Sequence, residues 1–110
     1  GHEEHIPFLN LTPPIQQLPL WQESLKELMI NIRTQDSYRI ETARHQLKTL
    51  QIELKAYETS IFDDEKKNQQ MASSLSISES VRRLCAYSRD FGEILLNMKL
   101  ASLMIEVRED

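Results

Sequence analysis

The chain has 110 residues, of which 40% are hydrophobic, and this length and composition suit a single domain with an ordinary core. Its net charge of −4 argues against a phosphate backbone as the main partner, so nucleic acid binding is not expected. No apolar run approaches the roughly 20 residues that a membrane span needs, so a transmembrane segment is not expected either.

Residues that break helices are scarce in this chain. Only two glycines occur, and the four prolines all lie at or before Pro19. Sheets and tight turns depend on glycine, and proline interrupts the interior of a helix. The residues after Pro19 are therefore predicted to be mainly helical.

The N-terminal segment, residues 1–18, mixes prolines with hydrophobic residues and is predicted to be an extended arm. Gly1 and His2 are interpreted as the remnant of a cleaved tag, and the whole chain as a fragment of a larger protein. Two roles stay open for the arm. It either covers the chain's own core as a strap or docks on a partner as a short motif.

A first helix is predicted over residues 19–34, because Pro19 suits the first position of a helix. Apolar side chains then recur at spacings of four and three, which places them on one face. This stripe comprises Trp21, Leu25, Leu28 and Ile32.

A turn is predicted after the first helix, because the apolar residues of its stripe do not continue at the same spacing after Ile32. The next residues include the capping and turn formers Thr34, Asp36 and Ser37. The alternative is one long helix over residues 19–70 with a stutter in its pattern.

Two longer helices are predicted over residues 37–69 and 76–107. In each of them, apolar spacings of three and four alternate, which is typical of a coiled-coil seam. The first stripe comprises Ile40, Ala43, Leu47, Leu50, Leu54, Tyr57 and Ile61. The second comprises Ile77, Val81, Leu84, Ser88, Phe91, Leu95, Met98, Ser102 and Ile105. The sequence Ser-Ile-Ser-Glu at residues 76–79 fits a capping box and predicts the start of the last helix.

These elements predict an all-α fold. Two helices of equal length joined by about six residues are expected to pair as an antiparallel hairpin. The predicted architecture is a long, coiled-coil-like antiparallel hairpin plus the shorter first helix, forming a three-helix bundle or a dimeric helical bundle. Residues 19–110 are predicted to be one helical domain.

The C-terminal half of the last helix is apolar on nearly every face. A helix that is apolar all round must be buried all round, and the other two helices would cover only part of it. The N-terminal arm, a second copy of the chain or a helical partner subunit would have to cover the rest. The predicted interface residues are Trp21, Ile94, Leu96, Leu100, Leu103, Met104 and Val107.

No pattern in the sequence specifies a reaction. Residues 90–92 spell the Asp-Phe-Gly triplet of kinases, but the glycine-rich loop and the other kinase motifs are missing. His2 and His5 are three residues apart, whereas the zinc-protease motif needs a spacing of four. We therefore expect no catalytic residue, metal ligand, cofactor or small-molecule substrate.

The sequence thus predicts a non-enzymatic protein–protein interaction domain that oligomerises or scaffolds a larger protein. One alternative is a helical groove near residues 94–107 that binds a partner peptide or helix. A further alternative is a peripheral bundle that regulates trafficking or tethers membranes. Cys85 is the only cysteine, which favours a reducing compartment, the cytoplasm or the nucleus.

Overall fold

The computed structural model describes residues 12–62 and 69–109, and three α-helices account for nearly all of them. Helix α1 spans Thr12–Thr34, α2 spans Ser37–Phe62 and α3 spans Gln69–Glu109. No residue in the two described ranges belongs to a strand. The all-α prediction is confirmed, and because each helix contacts the other two, the helices form a bundle.

Helix α1 begins at Thr12, earlier than the predicted start at residue 19. Pro13 and Pro14 lie in its first turn, where the missing N–H leaves no helical hydrogen bond unmade. Pro14 is also buried, so it adds to the packing of the helix. The predicted extended arm is therefore wrong for residues 12–18. Residues 1–11 lie outside the part of the chain that the structure describes.

The turn between α1 and α2 is organised by the buried side chain of Asn31. Its amide donates a hydrogen bond to the carbonyl of Glu27 at 2.8 Å, and its Oδ1 accepts one from the backbone N–H of Asp36 at 3.0 Å. The hydroxyl of Thr34 also donates to this Oδ1, at 2.7 Å. Gln35 has a φ of 50°, a left-handed conformation that ends a helix. The predicted turn is confirmed, and the alternative of one long helix is wrong.

Helix α2 presents its predicted stripe to the core. Asp36 caps its first turn, because its Oδ1 accepts a hydrogen bond from the N–H of Arg39 at 3.2 Å. The predicted end at residue 69 is wrong, since α2 is described to Phe62 and Gln69 already belongs to α3. The stripe residues that are buried are Ile40, Ala43, Leu47, Leu50 and Leu54.

Helix α3 starts at Gln69, not at residue 76, so the predicted capping box is wrong. Ser76 lies inside the helix, where its carbonyl accepts a hydrogen bond from the hydroxyl of Ser80 at 3.0 Å. No Gly or Pro lies between residues 69 and 76, and Ser74 is buried against the bundle. Because this segment packs against the bundle, the helix continues through residues 76–79, whose sequence resembles a capping box.

The buried face of α3 is rotated from the predicted one. Val81, Ser88 and Leu95 are buried as predicted, but Ile77 and Leu84 are 37% and 38% exposed. Small side chains take the inner positions because they let the neighbouring helices approach closely. The buried stripe comprises Ser74, Ser78, Val81, Cys85, Ser88, Gly92 and Leu95.

The buried face of α1 also differs from the prediction. Leu28 is buried, but Ile32 is 45% exposed and the polar Asn31 is buried in its place. The hydrogen bonds that Asn31 makes in the turn to α2 account for this exchange, because they replace those that the amide would make with water.

Polar contacts fix how the helices are aligned. Glu58, late in α2, accepts hydrogen bonds from Ser78 and Arg82, early in α3. Arg44, earlier in α2, donates to the carbonyl of Arg89, later in α3, at 3.2 Å. These contacts place α3 against α2 along most of the length of α2.

Candidate interaction surface

The end of α3 carries the largest predicted set of interface residues, and it is uncovered. Every residue from Leu100 to Val107 is exposed. Leu100 and Met104 expose 57% and 58% of their surface, and Val107 exposes 74%. Leu103 is also exposed. This stretch is therefore an apolar helix with no neighbour among the described residues that buries it.

The length of α3 explains why the other two helices do not cover its C-terminal end. A side chain added at Gly92 would lie 2.7 Å from Cγ of Arg44, so these two residues are at the same level of the bundle. Arg44 lies seven residues into α2, a rise of about 10 Å, whereas α3 continues from Gly92 to Glu109, about 25 Å. The last three turns of α3 thus extend past the start of α2.

The other three predicted interface residues lie nearer the core. Ile94 is 54% exposed, and Leu96 is half-buried and packs against the core. Trp21 is half-buried too, and its indole N–H donates a hydrogen bond to the hydroxyl of Ser88 at 2.9 Å. The structure therefore brings four of the seven residues together at the end of α3, with Ile94 and Leu96 preceding them, and places Trp21 between α1 and α3.

A groove between α2 and α3 lies toward the opposite end of the bundle. It has a volume of about 610 Å³, and its lining includes Phe62, Leu75 and Lys55. Glu58 and Arg82 form an ion pair in this lining, with Arg82 Nε 2.9 Å from Glu58 Oε2. The hydrogen bond and the charge of Glu58 raise the pKa of the Arg82 guanidinium, so the guanidinium stays charged. The groove that the sequence predicts near residues 94–107 is a different place.

The groups that were considered for chemistry are embedded in the packing. Phe91 packs against the core, and Gly92 faces Arg44 and Leu28. Burial raises the pKa of the Cys85 thiol to about 11, so it is protonated at neutral pH. Among residues 12–62 and 69–109, no three His, Cys, Asp or Glu side chains converge as metal ligands would.

Sequence reasoning missed the burial of Ser74 and Ser78 in α3 and the role of Asn31. A hydrophobicity pattern ranks Ile77 and Leu84 above Ser78 and Cys85, whereas close helix packing favours the smaller side chains. The signal that was available is that Ser74, Ser78, Cys85, Ser88 and Gly92 themselves recur at helical spacing.

Comparisons of the chain with protein-family models, with curated proteins and with solved structures found no match. None of the helices in the described ranges is both long enough and apolar enough to cross a bilayer.

Proposed function

We propose that this domain is a non-enzymatic oligomerisation or scaffolding module, in which α2 and α3 form an antiparallel hairpin and the end of α3 is the association surface. The observation that carries the proposal is the uninterrupted exposure of residues 100–107, six of which are apolar. The contacts from Glu58 to Ser78 and from Arg44 to Arg89 support the antiparallel pairing.

The energy of the exposed surface favours a covering partner. Fully burying a Leu, Ile, Val or Met side chain contributes about 1.5–3 kcal/mol. Five such side chains lie between Leu100 and Val107, and each already exposes roughly half of its surface or more. Burying the exposed part of all five would contribute roughly 4–8 kcal/mol. This is a large share of the stability of a small domain, which is about 5–15 kcal/mol.

Charge substitutions at the end of α3 test the proposal. Leu100→Glu with Leu103→Glu is expected to abolish association, measured by light scattering, and to leave the helical circular dichroism largely intact. Ile52→Glu is the matched control, since Ile52 is 60% exposed on α2, away from this surface. If the double variant keeps the molar mass of the unmodified protein, the end of α3 is not the association surface.

The alternative is a module that binds a partner peptide or helix beside residues 94–107. The measurement that separates the two is the molar mass of the isolated chain. A groove module is monomeric until its partner is added, whereas an oligomerisation module associates alone.

A membrane-tethering role predicts co-sedimentation with anionic vesicles, which the net charge of −4 disfavours. The proposed compartment is the cytoplasm or nucleus, because Cys85 is a free thiol.

A further inference from the structure

A basic groove lies between α2 and α3, beside the larger groove that contains the Glu58–Arg82 ion pair. It has a volume of about 270 Å³, and two of its lining residues, Lys55 and Arg82, also line the larger groove, so the two grooves are continuous. Four of its six lining residues are cationic, although the net charge of the whole chain is −4. The lining of the basic groove comprises Lys48, Gln51, Ile52, Lys55, Arg82 and Arg89.

The same arrangement of side chains occurs twice along the basic groove, one heptad apart. It consists of a lysine on α2, an acceptor three residues later, and an arginine of α3 that donates a hydrogen bond to this acceptor at 2.9 Å. The acceptor is the carboxylate of Glu58 in one case and the amide of Gln51 in the other. Glu58 neutralises its arginine, whereas Gln51 carries no charge, so the second arrangement keeps both of its positive charges. One arrangement comprises Lys55, Glu58 and Arg82, and the other comprises Lys48, Gln51 and Arg89.

Arg89 has hydrogen-bond donors to spare. A guanidinium carries five N–H groups, and among the described residues the guanidinium of Arg89 donates only from Nη1, to Gln51. Its Nε is buried without a partner. Lys48 and Lys55 are exposed, and in the described part of the chain no ion pair of 4.0 Å or less involves either of them or Arg89. The unmatched positive charge is therefore centred on these three residues.

The acidic side chains that line the larger groove are already paired. Glu58 accepts two hydrogen bonds from Arg82, at 2.9 and 3.1 Å, and its side chain is only 12% exposed. Glu79 pairs with Arg83. An anion that balances the charge around Arg89 therefore has to come from outside the described residues.

We propose that the basic groove binds an acidic segment of a partner protein, with one carboxylate of that segment between Lys48, Lys55 and Arg89. This carboxylate would give Arg89 the negative partner that Glu58 gives Arg82. Hydrogen bonds between ionised groups are about twice as strong as those between neutral groups, and Arg89 is half-buried, which reduces the competition from water. The groove lies away from the end of α3, so this inference goes beyond the proposed function and does not depend on it.

The length and lining of the two grooves favour a peptide over a nucleic acid. Beyond Lys55 the basic groove continues into the larger groove, whose lining includes Phe62 and Leu75. Lys48 and Phe62 are about 21 Å apart along α2 at 1.5 Å per residue, a length that an extended peptide spans with about six residues. A peptide with acidic and apolar residues matches both parts. A phosphate backbone has no apolar group for Phe62 and Leu75, and the net charge of −4 repels it.

A labelled peptide tests whether the groove binds carboxylates. The probe is a synthetic peptide of Glu and Leu residues with a fluorescent label, and the same peptide with Gln in place of Glu is its control. Fluorescence anisotropy is expected to show saturable binding of the Glu peptide that weakens as salt is added, because salt screens exposed charges. The Gln peptide is expected not to bind. No binding of the Glu peptide, or equal affinities for the two peptides, would overturn the inference.

Gln51→Glu tests the position of the site, because it supplies within the chain the carboxylate that the partner is proposed to bring. It is expected to weaken binding of the Glu peptide by about tenfold or more, since the new carboxylate neutralises Arg89 and repels the peptide. Gln22→Glu is the matched control, because it makes the same change of charge at an exposed position of α1, and it should leave the affinity unchanged. Equal affinities for the two variants would contradict the proposed site.

Reversing the charge of two exposed lysines tests the same site from its other side. Lys48→Glu with Lys55→Glu is expected to abolish binding of the Glu peptide, and Lys48→Gln with Lys55→Gln to weaken it less. Lys26→Glu with Arg33→Glu is the control, because both residues are exposed on α1 and are also one heptad apart. Both charge-reversed variants replace two positive charges by two negative ones, so the net charge falls from −4 to −8 in each.

Equal losses of affinity in the two charge-reversed variants would show that only the net charge matters, and would overturn the inference. Circular dichroism checks that both variants stay helical. A single-stranded oligonucleotide that binds more tightly than the Glu peptide would show that the groove recognises phosphate groups, which would overturn the inference as well.

Discussion

The indole N–H of Trp21 donates a hydrogen bond to the hydroxyl of Ser88 at 2.9 Å, and this bond joins α1 to α3. Ser88 in turn donates to the carbonyl of Leu84 at 2.8 Å, so its hydroxyl is used on both sides. Trp21 is the only tryptophan in the chain, and its fluorescence therefore reports directly on the α1–α3 contact.

Ser88→Ala is expected to destabilise the domain by about 1 kcal/mol, because the half-buried indole N–H loses its acceptor. Urea denaturation followed by Trp21 fluorescence, at a fixed protein concentration, measures this loss. Ser24→Ala is the control. Ser24 is equally buried, but its hydroxyl has no hydrogen-bond partner, so its removal should cause no loss. Equal losses in the two variants would contradict the assigned role of Ser88.

Gly92→Leu is expected to destabilise the domain by about 1–3 kcal/mol through overpacking. A side chain at this position would meet Arg44 Cγ at 2.7 Å and Leu28 Cδ2 at 3.2 Å. Leucine favours a helix over glycine by roughly 1 kcal/mol, so a net loss reports on packing alone. Thermal unfolding followed by circular dichroism measures it. Ala72→Leu, at an exposed position of α3, is the control, and its free energy of unfolding should stay within about 0.5 kcal/mol of that of the unmodified protein. An unchanged free energy of unfolding for Gly92→Leu would contradict the close helix contact.

The reasons why the sequence predicts α2 well and α3 poorly are physical. In α2 the large apolar residues are the buried ones, so Ile40, Leu47 and Leu54 mark the core directly. In α3 the helices approach so closely that Ser78 and Cys85 occupy the inner face and Leu84 is displaced outward. Hydrophobic periodicity therefore identifies the core face of α2, but in α3 it selects the larger side chains over the small ones that the packing buries.

The candidate surface follows the same logic. The sequence predicts a last helix that is apolar on nearly every face, but it also predicts two long helices of equal length. In the structure α3 extends past the start of α2 and leaves exposed Leu100, Leu103, Met104 and Val107. The half-burial of Trp21 depends on Ser88, a residue 67 positions away, and no local pattern reveals that contact. The burial of Pro14 and Ser74, which lie before the predicted helix starts, likewise depends on packing between helices.

Arg82→Met is expected to destabilise the domain by about 2–4 kcal/mol, because it leaves the Glu58 carboxylate nearly buried without its cation. The side chain of Glu58 is 12% exposed and accepts two bonds from Arg82, at 2.9 and 3.1 Å. Chemical denaturation measures the free energy of unfolding. The double variant Glu58→Met with Arg82→Met should lose less than Arg82→Met alone, since no unpaired charge remains. A double variant that is less stable than the single one would contradict this account.

Cys85 is expected to react slowly with thiol reagents while the domain is folded. Its pKa is raised from 9.0 to about 11, so at pH 8 the reactive thiolate is about a hundredfold rarer than for an ordinary cysteine. Burial also blocks access to the sulfur. Labelling with a maleimide, followed by mass spectrometry, should be at least about a hundredfold slower in buffer than in urea. Similar rates would contradict the buried position.

The raised pKa of Cys85 also predicts a pH dependence of stability. The folded state favours the neutral thiol, so the contribution of Cys85 to stability is complete below pH 9.0 and is lost as the pH rises toward about 11. Cys85→Ala should remove this part of the alkaline loss. Identical alkaline profiles for the two proteins would contradict the assignment.

The most direct test of the central claim, that the uncovered surface of α3 joins this chain to others, is the absolute molar mass by light scattering across a concentration series. We predict a mass of twice 12.9 kDa that falls toward 12.9 kDa on dilution or on substitution of both Leu100 and Leu103 by Glu. A mass of 12.9 kDa at every concentration would contradict the claim.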